Sequence, residues 1–171
     1  MIRQPKNGKK ISNMHYSRCD HTASLLSNGK VLVTGGESNE GPDVTRLCEL
    51  YDPLTGNWTK TGSKHIPRTG HTASVLLDGK VLITSGNGIP NEACEVYDPL
   101  TEKWTLTSSM HDGRQEHTAT VLKNGSVLVT GGKGYRQILN SSELYDPSTQ
   151  TWTYSIFIIR WNRISYWRSY R

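Results

Sequence analysis

His21-Thr22-Ala23-Ser24-Leu25-Leu26-Ser27-Asn28-Gly29-Lys30-Val31-Leu32-Val33-Thr34-Gly35-Gly36 is the first of three related stretches in this 171-residue chain. The second runs His71-Thr72-Ala73-Ser74, Asp78-Gly79, Val81-Leu82-Ile83-Thr84-Ser85-Gly86. The third runs His117-Thr118-Ala119-Thr120, Asn124-Gly125, Val127-Leu128-Val129-Thr130-Gly131-Gly132. The starting histidines are 50 and 46 residues apart. Self-similarity at that period identifies an array of supersecondary units.

Within each unit the chemistry predicts strands and turns. His-Thr-Ala leads through apolar residues to Asn-Gly or Asp-Gly, the preferred pair for a two-residue type I′ hairpin. The Val-Leu-Val-Thr strand that follows is apolar on both faces, which predicts packing between layers rather than a sheet with one wet face. The glycine pair stops it, because glycine adopts positive φ without a Cβ penalty.

Working outward, each unit continues into a second block. These blocks are Glu49-Leu50-Tyr51-Asp52-Pro53, Glu95-Val96-Tyr97-Asp98-Pro99 and Glu143-Leu144-Tyr145-Asp146-Pro147, each with a tryptophan seven residues after the tyrosine (Trp58, Trp104, Trp152). Asp followed by Pro favours a type I turn, so a third strand ends at the tyrosine and a fourth begins near the tryptophan. The histidine-to-second-glycine distance is always 15 residues. Only the segments 37–48, 87–94 and 133–142 vary, and they read as loops free of the scaffold. The expected architecture is all-β, in four-stranded antiparallel meanders.

Gly-Gly, then Glu-x-Tyr-Asp-Pro, then Trp at fixed spacing resembles the kelch repeat, one blade of a β-propeller, and is especially similar to repeats of the galactose-oxidase and bacterial type. The resemblance covers residues 14–154, with Ser85 departing from the first glycine of its pair. It implies a partial propeller of three blades: 21–62, 63–108 and 109–154. Residues 1–20 then form a basic remnant of a preceding blade. Residues 155–171 are an off-register aromatic and basic tail, explained either by a frameshift, retained intron or mis-assigned exon, or by a genuine partner-binding extension. Three blades are fewer than the 4–8 of closed propellers, which predicts an incomplete ring with apolar terminal faces. The resemblance also implies structural roles for Gly35, Gly36, Gly86, Gly131, Gly132, Tyr51, Tyr97, Tyr145, Trp58, Trp104 and Trp152, since a tyrosine or tryptophan can lie flat where glycine leaves space.

Charge narrows the partner classes. The net charge of +5 comes from the ends: residues 1–20 carry +4 and 154–171 carry +4, leaving −3 on the repeats between them. A nucleic-acid surface needs a basic patch on the folded face, so none is expected. No apolar run reaches the roughly 20 residues of a membrane helix. Residues 1–13 are polar and basic, unlike a secretory signal, and cytoplasmic residence is the default expectation. The three cysteines cannot form a paired set, and Cys48 and Cys94 read as reduced, space-filling residues.

His21, His71 and His117 invite a zinc reading, but ligands to one ion must converge within a few ångströms and equivalent positions on successive blades diverge. No metal or other cofactor is expected. Arg18, Arg68 and Arg114 each precede a histidine by three residues, in the connector into the next blade. The resemblance places that connector on the face that holds the variable loops, where partners of kelch propellers bind. There the guanidinium groups would suit carboxylates or phosphates; the alternative is that they brace loop carbonyls or acids. Arg46, Tyr135 and Arg136, on the variable loops, complete the candidate partner-binding set. No Gly-x-Ser-x-Gly elbow or phosphate-binding loop is present. The leading expectation is a non-catalytic module for an unknown protein partner. A fragment of a galactose-oxidase-like copper radical oxidase and a self-associating propeller half are the rivals.

Overall fold

The computed structural model describes residues 11–154; residues 1–10 and the off-register tail 155–171 lie outside the described residues. Three four-stranded antiparallel sheets follow one another along the chain, each a simple meander. Blade 1 comprises β1 (Thr22–Leu25), β2 (Val31–Thr34), β3 (Cys48–Asp52) and β4 (Asn57–Thr61). Blade 2 comprises β5 (Thr72–Val75), β6 (Val81–Thr84), β7 (Cys94–Asp98) and β8 (Lys103–Thr107). Blade 3 comprises β9 (Thr118–Val121), β10 (Val127–Thr130), β11 (Ser142–Asp146) and β12 (Thr151–Tyr154). One 3₁₀ turn, Pro42–Arg46, interrupts the β2–β3 loop. No described helix is long and apolar enough to cross a membrane.

The hairpins form where expected, but the turn type differs. Type I′ needs positive φ at both central residues. Here only the glycines have it: Gly29 (φ 81), Gly79 (85) and Gly125 (91). In the first hairpin the Gly29 N–H donates to Leu26 O and the Leu26 N–H to Lys30 O, the three-residue loop in which a left-handed glycine follows a type I turn. Asn28 serves this turn through its side chain, with Oδ1 accepting from the Lys30 N–H at 3.0 Å. Asp78 and Asn124 repeat that contact.

The middle strand of blade 2 is apolar on both faces because its sheet is packed between blades 1 and 3, and the equivalent strands of blades 1 and 3 each bury one face against it. Leu26, Leu32, Cys48 and Leu50 of blade 1 meet Val81, Ile83, Tyr97 and Trp104 of blade 2. Leu76, Leu82, Cys94 and Met110 meet Val127, Val129, Tyr145 and Trp152 of blade 3 in the same way. Full burial of each such side chain is worth about 1.5–3 kcal/mol. Cys48 and Cys94 are buried free thiols, and burial pushes the Cys94 pKa up to about 12.

Each tyrosine crosses its sheet to the tryptophan on the paired strand, with ring centroids 5.0 Å apart in blades 2 and 3. Both residues also tie the blade to what precedes it. Tyr97 and Tyr145 hydroxyls bond Thr61 and Thr107 at 2.7 and 2.8 Å. Trp104 and Trp152 indoles donate to the Gly62 and Ser108 carbonyls. These aromatic positions therefore act in packing, within a blade and across each junction.

Candidate loop-face site

The loops after β2, β6 and β10 and the connectors into β1, β5 and β9 lie together on one face. Antiparallel bridges join them at Cys19–Glu37 and Gln115–Lys133, and the Asn87 N–H donates to Thr69 O in blade 2. A repeated ionic knot fixes their geometry. Glu95 is fully buried in β7. Its Oε2 accepts from the His65 backbone N–H and contacts His65 Nδ1, both at 2.8 Å. Its Oε1 accepts from the Ile66 N–H at 3.2 Å and from Arg68 Nη2 at 3.0 Å. Glu49 makes the same set with His15, Tyr16 and Arg18, and Glu143 with His111, Asp112 and Arg114. Burial opposes ionisation of Glu143, but these donors hold its carboxyl below the ordinary value.

The other guanidinium nitrogen of each arginine cinches the loop. Arg18 Nη1 donates to Gly35 O and Leu47 O, at the two ends of the blade-1 loop. Arg68 bonds Ser85 O and Ala93 O, and Arg114 bonds Gly131 O and Ser141 O. The three arginine side chains are 0–1% exposed. They therefore do not present charge to a partner as expected for Arg18, Arg68 and Arg114. The bracing alternative describes them, because a buried glutamate requires a buried counter-charge. The residues that sequence reasoning left without a role are Glu49, Glu95, Glu143, His15, His65 and His111. Their signal was a glutamate recurring in register inside an otherwise apolar strand.

The in-register histidines do not converge. His71 Nε2 bonds Thr22 of the preceding blade at 2.9 Å, and His117 Nε2 bonds Thr72 and Thr84 at 3.0 Å. Burial lowers the His117 pKa to about 4 and that of His71 well below its ordinary value. Among the described residues, the group of His, Cys, Asp and Glu side chains close enough to share a metal ion is Cys19, Asp20 and Glu37, all exposed.

Ser85 shows how the departure from the glycine pair is absorbed. It holds φ 53, its hydroxyl donates to Asn91 O at 2.6 Å, and its Oγ accepts from the Arg114 N–H at 2.7 Å. The following Gly86 has φ 100, and a Cβ there would lie 2.7 Å from Thr69 O, so only glycine fits.

Clefts open between these loops. One of about 640 Å³ lies between the blade-2 loop, the connector into blade 3 and the blade-3 loop, with Glu92, Asp112, Tyr135 and Arg136 in its wall. Another of about 410 Å³ separates the blade-1 loop from the connector into blade 2. Tyr135 is 86% exposed, with the Arg136 guanidinium 5.1 Å from its ring centroid. Arg46 ends the 3₁₀ turn, exposed, and is not among the residues lining these two clefts.

Meanders of four strands, packed face to face and cinched on a common loop face, define a segment of β-propeller. Residues 117–155 match the family model described as the Kelch motif. The units beginning at His21 and His71 share the residue spacing of the matched one, so the three together resemble a partial array of kelch repeats.

Among solved structures, the chain is similar to a fungal alcohol oxidase of the AA5 family in complex with copper, at 24% identity and a TM-score of 0.63. It is also similar to YjhT, at 18% identity and a TM-score of 0.67. Each likeness covers 80% of this chain; it spans 30% of the oxidase chain and 51% of YjhT. At these identities the likeness concerns the fold. No curated protein matches the chain.

Proposed function

We propose that this chain is a non-catalytic kelch scaffold that binds a protein through its loop face. The observation that carries this reading is the division between a repeated, cinched base and exposed loops that differ from blade to blade. The blade-1 loop carries a 3₁₀ turn and Arg46, whereas the blade-3 loop carries the exposed Tyr135–Arg136 pair over a cleft. Aromatic and arginine side chains are the types enriched at the centres of protein interfaces. Function on such a scaffold resides in the loops grafted on it.

The test replaces Arg46, Tyr135 and Arg136 together by serine and compares capture of interacting proteins by the altered and unaltered chains. Loss of a specific captured protein at unchanged melting temperature supports the reading; identical capture refutes it.

The rival reading as part of a copper oxidase takes its support from the AA5 likeness alone. The metal-capable group here, Cys19, Asp20 and Glu37, contains no histidine, and Tyr97 and Tyr145 are committed to blade junctions. These two observations favour the scaffold reading. Copper uptake with hydrogen peroxide release on galactose or glyoxal would overturn the scaffold reading.

A further inference from the structure

Every internal blade junction joins the same two halves. One half is aliphatic: Leu32 and Leu50 in blade 1, Leu76 and Leu82 in blade 2. The other is β-branched and aromatic: Val81, Ile83, Tyr97 and Trp104 in blade 2, and Val127, Val129, Tyr145 and Trp152 in blade 3. By register, blade 3 repeats the first half with Leu122, Leu128 and Leu144, and blade 1 repeats the second with Val31, Val33, Tyr51 and Trp58. Among the described residues neither half is matched. Leu82 is fully buried and Leu128 partly exposed; Val81 and Val127 are fully buried and Val31 partly exposed; Tyr97 and Tyr145 are buried and Tyr51 half-buried. The Tyr51 hydroxyl lacks the threonine that its two equivalents bond.

The blade-1 half is also prepared to receive a sheet. Residues 11–20 stand before it as the connectors stand before blades 2 and 3. Trp58 Nε1 donates to Ser12 O at 3.0 Å, as Trp104 does to Gly62 O and Trp152 to Ser108 O. His15 and Arg18 are already knotted onto Glu49. Among the described residues the seat is complete up to its connector, and a four-stranded sheet such as blade 3 would fill it.

We infer that the chain self-associates head to tail, blade 3 of one copy docking on blade 1 of a second through the contacts of its own internal junctions. Such a heterologous contact closes into a ring only at a fitting number of units. Propellers close with 4–8 blades, and with the three described blades in each copy six is the only multiple in that range. The assembly is therefore a dimer with two equal junctions between copies.

The experiment is sedimentation velocity on the full chain at tens of micromolar, with variants Leu128→Glu and Val31→Glu. Both positions are partly exposed within one copy, and circular dichroism confirms that each variant folds. The unaltered chain sediments as a dimer. Each variant alone dissociates, its association weakened about 100-fold or more by the buried unpaired charge. An equimolar mixture regains association, because blade 3 of the Val31→Glu chain meets blade 1 of the Leu128→Glu chain with both faces intact. A monomeric unaltered chain overturns the inference, including one whose residues 155–171 cover the Leu128 face. A dimer that survives one of the two substitutions also overturns it, since a symmetric contact would use one face only.

Discussion

Replacing Lys64 by methionine stabilises the protein, and the gain fades in alkali. Lys64 occupies the place that Met14 and Met110 hold in the other connectors, at the junction of blades 1 and 2. It is 2% exposed, and its ammonium nitrogen has no hydrogen-bond partner among the described residues. Burial lowers its pKa from 10.5 to about 8. The unfolded chain therefore holds the proton more tightly than the folded one, and the native state bears the whole cost at any pH below 8. At about 1.4 kcal/mol per pH unit, that cost is about 3 kcal/mol at pH 7. It declines as pH rises through 8 towards 10.5, to about 1.4 kcal/mol at pH 9.5. Methionine removes the charge, and Met110 shows that its side chain fits the equivalent core at 3% exposure. Urea denaturation of both chains at pH 7 and pH 9.5 measures the difference. Equal stabilities, or a gain that is the same at both pH values, refute the reasoning: the first denies the buried charge, the second its titration.

Arg68→Ala leaves the fully buried Glu95 without its counter-charge and costs about 3–5 kcal/mol, read as a lowered denaturation midpoint. A double variant, Arg68→Met with Glu95→Leu, recovers part of that loss; no recovery argues against the charge as the cause. His117 is held neutral, with its folded pKa of about 4 below the ordinary 6.5. Stability from this group is complete above pH 6.5 and is lost as pH falls through 4, by about 3 kcal/mol. The His117→Gln chain accordingly shows a shallower acid limb in a series of melts. Gly86→Ala places a Cβ 2.7 Å from Thr69 O and 2.9 Å from His71 Cβ at φ 100, costing about 2 kcal/mol or more. Alanine at the half-buried Gly41, also at positive φ (111) but with nothing within 4 Å of its Cβ, keeps the backbone strain without the clash and loses less.

The blades were legible because several local signals agree in each unit: a hairpin pair, an apolar strand, a glycine stop and Tyr-Asp-Pro. The hairpin type was not, since Asn-Gly serves two loop geometries and the choice depends on whether Asn28 itself takes positive φ. Periodicity located Arg18, Arg68 and Arg114 but misdirected their role. A connector arginine reads as surface until the glutamate opposite is known to face inward, and that depends on strand register across a loop of variable length. Lys64 stands where Met14 and Met110 stand in the other connectors, but its burial emerges only when the neighbouring blade is in place. The loop residues Arg46, Tyr135 and Arg136 were found as exposed positions. Their grouping is tertiary: Tyr135 and Arg136 share a cleft wall with blade-2 residues, and Arg46 stands apart.

The arginine clamp has a consequence for how such a molecule can change. Each guanidinium grips the first and last carbonyls of its loop, Gly35 and Leu47, Ser85 and Ala93, or Gly131 and Ser141. Beyond the residues that bridge to the connectors, such as Glu37 and Lys133, the tip between those anchors can vary without loosening the grip. The loop is a drawn purse whose contents can be lengthened, shortened or exchanged while the string stays tied. Foreign peptides inserted after Asn39 or after Arg136, away from the bridging residues Glu37 and Lys133, should cost blade stability little, since lengthening a closed loop costs little entropy.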